Sequence, residues 1–205
     1  MRGVIVVGNN LSPAFAKREC DGAFVVGADK GALYCCKNRI KMDLAVGDFD
    51  SLSEEEKRNV LTFADKSVAL NPIKDDTDTA HALSLLSGCE EVAILGGIQG
   101  KRIEHFLAIL DLLAKDQRVC LKDDNSLIKT FLPGDYIIKK DEYRFFSFFA
   151  LEDAVITLEG FHYSLSGFLL KRYDPLGISN QIKNEEGRLS LKSGRLLMVC
   201  SKDDS

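Results

Sequence analysis

The chain is poor in histidine, carries no excess of positive charge and has no long apolar run. Three histidines and six cysteines, none of them in a C-x-x-C, argue against a zinc site. A net charge of −4 and a pI near 5.5 leave no basic footprint for nucleic acid. No stretch is apolar for long enough to span a bilayer. After Met1-Arg2-Gly3 come only four apolar residues, too few for a signal peptide. There is no internal repeat and no low-complexity segment. Most of Cys20, Cys35, Cys36, Cys89, Cys120 and Cys200 sit in or beside apolar runs, where a thiol acts as a small hydrophobe. The expected compartment is the reducing cytoplasm. An acidic protein that handles a polyphosphate needs local shielding, from metal or a few placed cations.

What is present is a globular composition, 45% hydrophobic and 28% charged over 205 residues. That is enough for one large domain or two small ones. Val4–Gly8, Ala23–Gly27, Leu44–Val46, Ser67–Leu70, Val92–Leu95 and Val119–Leu121 are short apolar runs, as in parallel strands covered on both faces. Helical segments lie between them. Pro13 suits a first helical position, and Ser53-Glu54-Glu55-Glu56 fits a capping box. Ile103, Phe106, Leu107, Leu110, Leu113 and Ala114 recur at helical spacing and predict one apolar face. From Lys122 to Ser126 a turn cluster intervenes. Beyond it only short strand-like runs follow, including Phe145–Leu151, Val155–Leu158, Arg188–Leu191 and Leu196–Cys200. The expectation is an α/β domain over 1–122 with a mostly parallel sheet, then a small all-β sandwich or partial barrel over 123–205.

The chain is organised around Val46-Gly47-Asp48-Phe49-Asp50-Ser51. If strand alternation continues past Gly47, Asp48 and Asp50 share a side and Phe49 takes the other. Two such carboxylates suit a hard cation such as Mg²⁺, which accepts oxygen ligands and leaves room for phosphates. Their plainer reading is as turn and cap residues.

Ligands bind beyond the carboxyl ends of strands in open parallel sheets. Four polar clusters fall there: Asp29; Asp48 with Asp50; Lys74 to Asp78; and Gly96-Gly97 with Arg102, Glu104 and His105. The chemistry suggested is metal-assisted transfer of a phosphate-containing group. Asp48, Asp50 and Asp78 are candidates to share Mg²⁺. Gly96, Gly97 and Gly100 let backbone approach phosphates, Arg102 can fork onto one, and Thr77 can donate a hydroxyl. Helix N-termini favour anions. The plainer alternatives are solvated Arg102 and Glu104, Thr77 or Asp76 as an N-cap, a half-buried structural His105, and a core role for Phe145–Phe149.

Gly47-Asp48-Phe49-Asp50-Ser51, Lys74-Asp75-Asp76-Thr77-Asp78 and Gly96-Gly97 followed by Arg102-Ile103-Glu104-His105 together resemble the thiamine pyrophosphokinase family. Ser147-Phe148-Phe149-Ala150-Leu151, Gly160-Phe161-His162-Tyr163-Ser164-Leu165 and Gly177-Ile178-Ser179-Asn180 match that family's vitamin-binding domain in order and spacing. The resemblance covers nearly the whole chain. It implies transfer of the β,γ-diphosphate of ATP to the thiamine hydroxyl, giving thiamine diphosphate and AMP. It implies a homodimer with active sites at the subunit interface. Asp48, Asp50 and Asp78 would hold Mg²⁺ and, with Arg102, form the catalytic set. Asp29, Ser51, Lys74, Thr77, Gly97, Arg102 and Glu104 would bind ATP, and Tyr163, Ser179 and Asn180 would contact thiamine.

The chain departs from the family in places. Glu104 stands where Asp is usual and Ile109 where Asn is usual. The loop with Gln99 and Lys101 is one residue longer and poorer in glycine, and Ala28-Asp29-Lys30-Gly31 has one glycine fewer after the aspartate. Rival readings are diphosphate transfer to another alcohol such as a hydroxymethyl pterin, a non-catalytic thiamine or nucleotide sensor, and a metal-dependent phosphohydrolase. Tyr163 with Ser179-Asn180 favours thiamine over the pterin, and the intact aspartates argue against a sensor.

Overall fold

The computed structural model of the protein describes residues 1–69, 77–100 and 102–203. The chain divides into two compact units, Met1–Asp124 and Asn125–Ser205. In the first, strand and helix alternate: β1 (Arg2–Val6), α1 (Pro13–Cys20), β2 (Phe24–Ala28), α2 (Lys30–Lys37), β3 (Leu44–Gly47), α3 (Glu54–Phe63), β4 (Lys66–Ala69), α4 (Asp78–Ser84), β5 (Glu91–Leu95), α5 (Ile103–Lys115) and β6 (Val119–Lys122).

These six strands pair in parallel in the order β6-β5-β1-β2-β3-β4. Continuous apolar strands make sense here, because helices cover the sheet; β1, β2 and β5 are buried along all but their first residue. The chain runs outward from β1 in one direction through β4, then returns to β5 on the other side of β1. The crevice between the ends of β1 and β5 is therefore the topological switch point, where such sheets take ligands. Helix α1 opens at Pro13 with Ser12 as its N-cap. Helix α3 carries the expected capping box: Ser53 Oγ accepts from the Glu56 N–H at 3.2 Å, and Glu56 Oε2 accepts from the Ser53 N–H at 3.2 Å.

Helix α5 corrects the expected single face. Ile109 and Leu113 are buried, whereas Ile103 and Leu107 are 61% and 55% exposed. The helix is apolar on two sides, so periodicity alone does not say which side meets the core.

The second unit contains β7 (Ser126–Phe131), β8 (Gly134–Lys139), β9 (Phe145–Glu159), β10 (Leu165–Leu170), a 3₁₀ turn (Pro175–Gly177) and β11 (Glu186–Ser201). Within this unit the strands pair antiparallel, β10 with β9, β9 with β11, and β11 with both β7 and β8. Two pairs of expected short strands are fused into the long β9 and β11. Their register shifts around Leu191, Ser193 and Arg195, so β11 bends at Lys192-Ser193-Gly194 and continues. The bend lets both halves face one core. Phe146, Phe148, Ile156 and Leu158 of β9 meet Leu189, Leu191, Leu196 and Met198 of β11 there.

The cysteines behave as core residues. All six are free thiols, and burial pushes Cys20 and Cys200 up to about 12, so both stay neutral. No helix among the described residues is long and apolar enough to cross a membrane.

Candidate active site

The carboxyl edge of the parallel sheet gathers carboxylates and glycines. Asp29 directly follows β2 at φ 50°, outside the ordinary range for a side-chain-bearing residue. Its N–H donates to the Val46 carbonyl of β3 (2.9 Å), and its own carbonyl accepts from the Ala32 N–H (3.0 Å) to begin α2. Gly47 makes room for it: a Cβ there would lie 3.2 Å from Asp29 Oδ1. That oxygen is buried and has no hydrogen-bond partner among the described residues. Burial, then the negative charges of Asp78, Asp48 and Asp50, push Asp29 up to about 6. Four aspartates from three separate segments thus share one electrostatic neighbourhood.

Strand alternation does not continue past Gly47, contrary to the expectation. Phe49 turns to φ 54° and is only 2% exposed, anchored in the core beneath the loop. The Asp50 N–H donates to Asp48 Oδ1 (3.1 Å), an Asx turn. A buried aromatic and a local turn therefore place the two aspartates. The half-buried Asp48 has a turn role through Oδ1, while Asp50 and Ser51 are exposed.

Thr77 is the N-cap of α4, its Oγ1 accepting from the Ala80 N–H at 3.1 Å, and Asp78 is the first residue of that helix. Lys74, Asp75 and Asp76 lie outside the described residues, as does Lys101.

At the switch point, the backbones of Gly8, Gly96 and Gly97 are in contact. A Cβ on Gly8 would lie 3.0 Å from the Gly97 nitrogen, and one on Gly96 would lie 3.0 Å from the Gly8 Cα. Gly97 also adopts φ 85°. In the sequence Gly8 reads only as the end of a strand. Its one sequence signal is a glycine at the carboxyl end of β1.

Arg102 precedes α5 without a side-chain cap. Its Nε donates to Glu104 Oε1 at 2.7 Å, and both groups are exposed. The guanidinium holds the Glu104 carboxyl below the usual carboxylate range. His105 is exposed, not half-buried.

In the second unit, Tyr163 is 70% exposed and Ser179 is exposed at φ 58°. The Ser179 N–H donates to Ser147 Oγ (3.0 Å). Asn180 is buried, and its side chain is bound to the backbone of Tyr163 and Gln181. The expected thiamine contact of Asn180 would therefore come from a side chain already bound to backbone. Phe146 and Phe148 are fully buried, as expected for core residues.

Among the described residues no three His, Cys, Asp or Glu side chains converge closely enough to cage a metal ion. The donor set still suits Mg²⁺. The carboxylates of Asp48, Asp50 and Asp78 are hard oxygen donors, and the buried Asp29 Oδ1 near them has no hydrogen-bond partner among the described residues. Mg²⁺ commonly binds through one or two carboxylates, waters and substrate phosphates instead of a complete protein cage.

Comparison with known proteins agrees across both units. Residues 17–122 match the family model for the thiamin pyrophosphokinase catalytic domain, and residues 135–196 match that for the thiamin pyrophosphokinase vitamin B1 binding domain. The chain is 33% identical to thiamine pyrophosphokinase of Bacillus subtilis, over 97% of this chain and 98% of that one. The crystal structure of thiamine pyrophosphokinase from Bacillus subtilis superposes with a TM-score of 0.89, covering 99% of this chain and 100% of that one at 33% identity. A thiamin pyrophosphokinase family protein from Enterococcus faecalis gives 0.87 at 29% identity, with both chains fully covered. With both domain models matched in order and a relative of this identity along nearly its whole length, the chain belongs to the thiamine pyrophosphokinase family.

Proposed function

We infer that the protein transfers the β,γ-diphosphate of ATP to the hydroxyl of thiamine, giving thiamine diphosphate and AMP. The observation that carries this reading is the buried Asp29 Oδ1 at the carboxyl edge of the sheet, with no hydrogen-bond partner among the described residues, its carboxyl raised by burial and then by Asp78, Asp48 and Asp50. Such a concentration of negative charge is costly unless a cation relieves it. Asp48, Asp50 and Asp78 would hold Mg²⁺, which when bound neutralises phosphate charge and orients the transferred group. Gly97 lets the phosphate chain approach the backbone. Thr77 caps α4 through Oγ1, and its hydroxyl is proposed to contact ATP. Asp29, Ser51 and Lys74 complete the proposed ATP side. Arg102 is exposed and pairs with Glu104, so swinging onto a phosphate exchanges one ionic partner for another. Little covalent work falls to the protein; in-line placement and charge neutralisation do most of it.

Tyr163 and Ser179 form the proposed thiamine side, in a homodimer that completes each site with the partner subunit. The exposed Ile103 and Leu107 give α5 apolar surface compatible with assembly. The six free cysteines fit a cytoplasmic location. Incubation with ATP, Mg²⁺ and thiamine should yield AMP in step with thiamine diphosphate. ADP as the product, or nucleotide turnover without thiamine, would overturn this function.

A further inference from the structure

We propose that Asn180 is a positioning residue for the acceptor side of the site, holding Tyr163 by its backbone without touching the acceptor. The proposal rests on the thiamine reading above. Asn180 is 4% exposed. Its N–H donates to the Phe146 carbonyl (3.1 Å), and its carbonyl accepts from the Phe146 N–H (2.8 Å). Its Oδ1 accepts from the N–H groups of Tyr163 (3.0 Å) and Gln181 (2.9 Å), and its Nδ2 donates to the Tyr163 carbonyl (2.8 Å). Both of the Oδ1 acceptances and the Nδ2 donation are thus to backbone, on a buried side chain. Direct contact with a ligand is therefore a poor use of this side chain, and both main-chain groups of Tyr163 depend on it.

The local ladder explains why a carboxamide is needed. Phe161 bridges Ile182, and the His162 N–H donates to the Gln181 carbonyl (2.8 Å). At Tyr163 the chain leaves this pairing. The Asn180 side chain then acts as the next ladder partner, supplying a donor and an acceptor together as a peptide group would. The start of β9 is the fixed reference: Phe146 holds Asn180 by its backbone, and Ser147 holds the neighbouring Ser179. The Tyr163 ring, 70% exposed, gains little orientation from its own packing. Its backbone tether sets where it stands.

The test is a double-mutant cycle between Asn180→Ala and Tyr163→Leu, reading KM for thiamine, KM for ATP, and thiamine Kd by calorimetry. Asn180→Ala should raise thiamine KM and Kd by about tenfold and leave ATP KM within about twofold. In the Tyr163→Leu background the same change should add less than about twofold. Asn180→Asp serves if the alanine variant does not fold. It keeps both accepted hydrogen bonds and loses the donation to Tyr163, so thiamine KM should rise about threefold, again only while Tyr163 is present. An undiminished effect of Asn180→Ala in the Tyr163→Leu background overturns the proposal, as does an unchanged thiamine KM in the single variant. A wild-type protein that forms no AMP with thiamine fails the functional reading and this proposal with it. A turning-over wild type with an insensitive Asn180 fails the proposal alone.

Discussion

Gly8 and Gly97 meet backbone to backbone: a Cβ on Gly8 would sit 3.0 Å from the Gly97 amide nitrogen. The contact closes the crevice between β1 and β5 at the point where the strand order reverses. Neither side can yield by rotating a side chain, because the atom approached is backbone.

Gly8→Ala should therefore shift the Gly96-Gly97 turn. We expect a loss of about 1 to 3 kcal/mol of stability, the usual cost of overpacking. ATP KM should rise while thiamine KM changes little. Denaturant melts and steady-state kinetics check both. Unchanged ATP KM in a stable variant would remove this turn from the nucleotide site.

Asp29 makes a prediction about pH. Its carboxyl titrates ordinarily at 3.8 and is pushed up to about 6 in the fold. Between those values the folded state binds more protons than the unfolded state, so stability falls as pH rises through the window. Solvent still reaches the group in part, so the loss is discounted to on the order of 1 to 2 kcal/mol. Asn has no such titration. In chelator, the stability of Asp29→Asn relative to wild type should grow from about pH 4 to pH 6 and level off above. A difference independent of pH contradicts the electrostatic account.

Much of this site is legible in the sequence, because strand ends in a parallel sheet are marked by where apolar runs meet Gly and Asp. The runs ending at Gly27, Val46 and Leu95 place their polar clusters on one edge with no further information. The local capping signals at Ser53-Glu56 and Thr77 are legible for the same reason: both partners lie within one turn. Long-range effects are not. Phe49 leaves the strand path because the core takes its ring, which alternation does not foresee. The bend in β11 near Gly194 looks like a chain reversal until the pairing with β9 is known. The Asn180 tether spans separate segments, and its residue type fits a ligand contact equally well.

Ser179 separates strain from binding. Its φ of 58° costs a side-chain-bearing residue on the order of 1 kcal/mol, which glycine avoids. Ser179→Gly should keep or slightly raise the melting temperature, since the N–H bonded to Ser147 remains. Thiamine KM should rise several-fold, about what one lost hydrogen bond costs, with ATP KM nearly unchanged. A glycine variant with full thiamine affinity would mean that the hydroxyl makes no contact.

Asp48 and Asp50 should respond differently to losing their charge. Asp48 Oδ1 accepts from the Asp50 N–H, so Asp48 has a structural task as well as a proposed metal one. Asp48→Ala should lose about 1 kcal/mol of stability through the broken turn together with most activity. Asp50 contributes its backbone N–H to that turn, and Asp50→Asn retains it while removing one negative charge from the neighbourhood of Asp29. The metal-free variant should then be as stable as wild type or slightly more so, a trade found where function concentrates like charges. Activity should fall by orders of magnitude, because a proposed charged ligand is lost where phosphate charge must be neutralised. Melts in chelator beside rates at saturating Mg²⁺ separate the two effects. A destabilised Asp50→Asn that kept nearly full activity per folded molecule would make Asp50 a turn residue and leave Asp48 and Asp78 as the proposed metal pair.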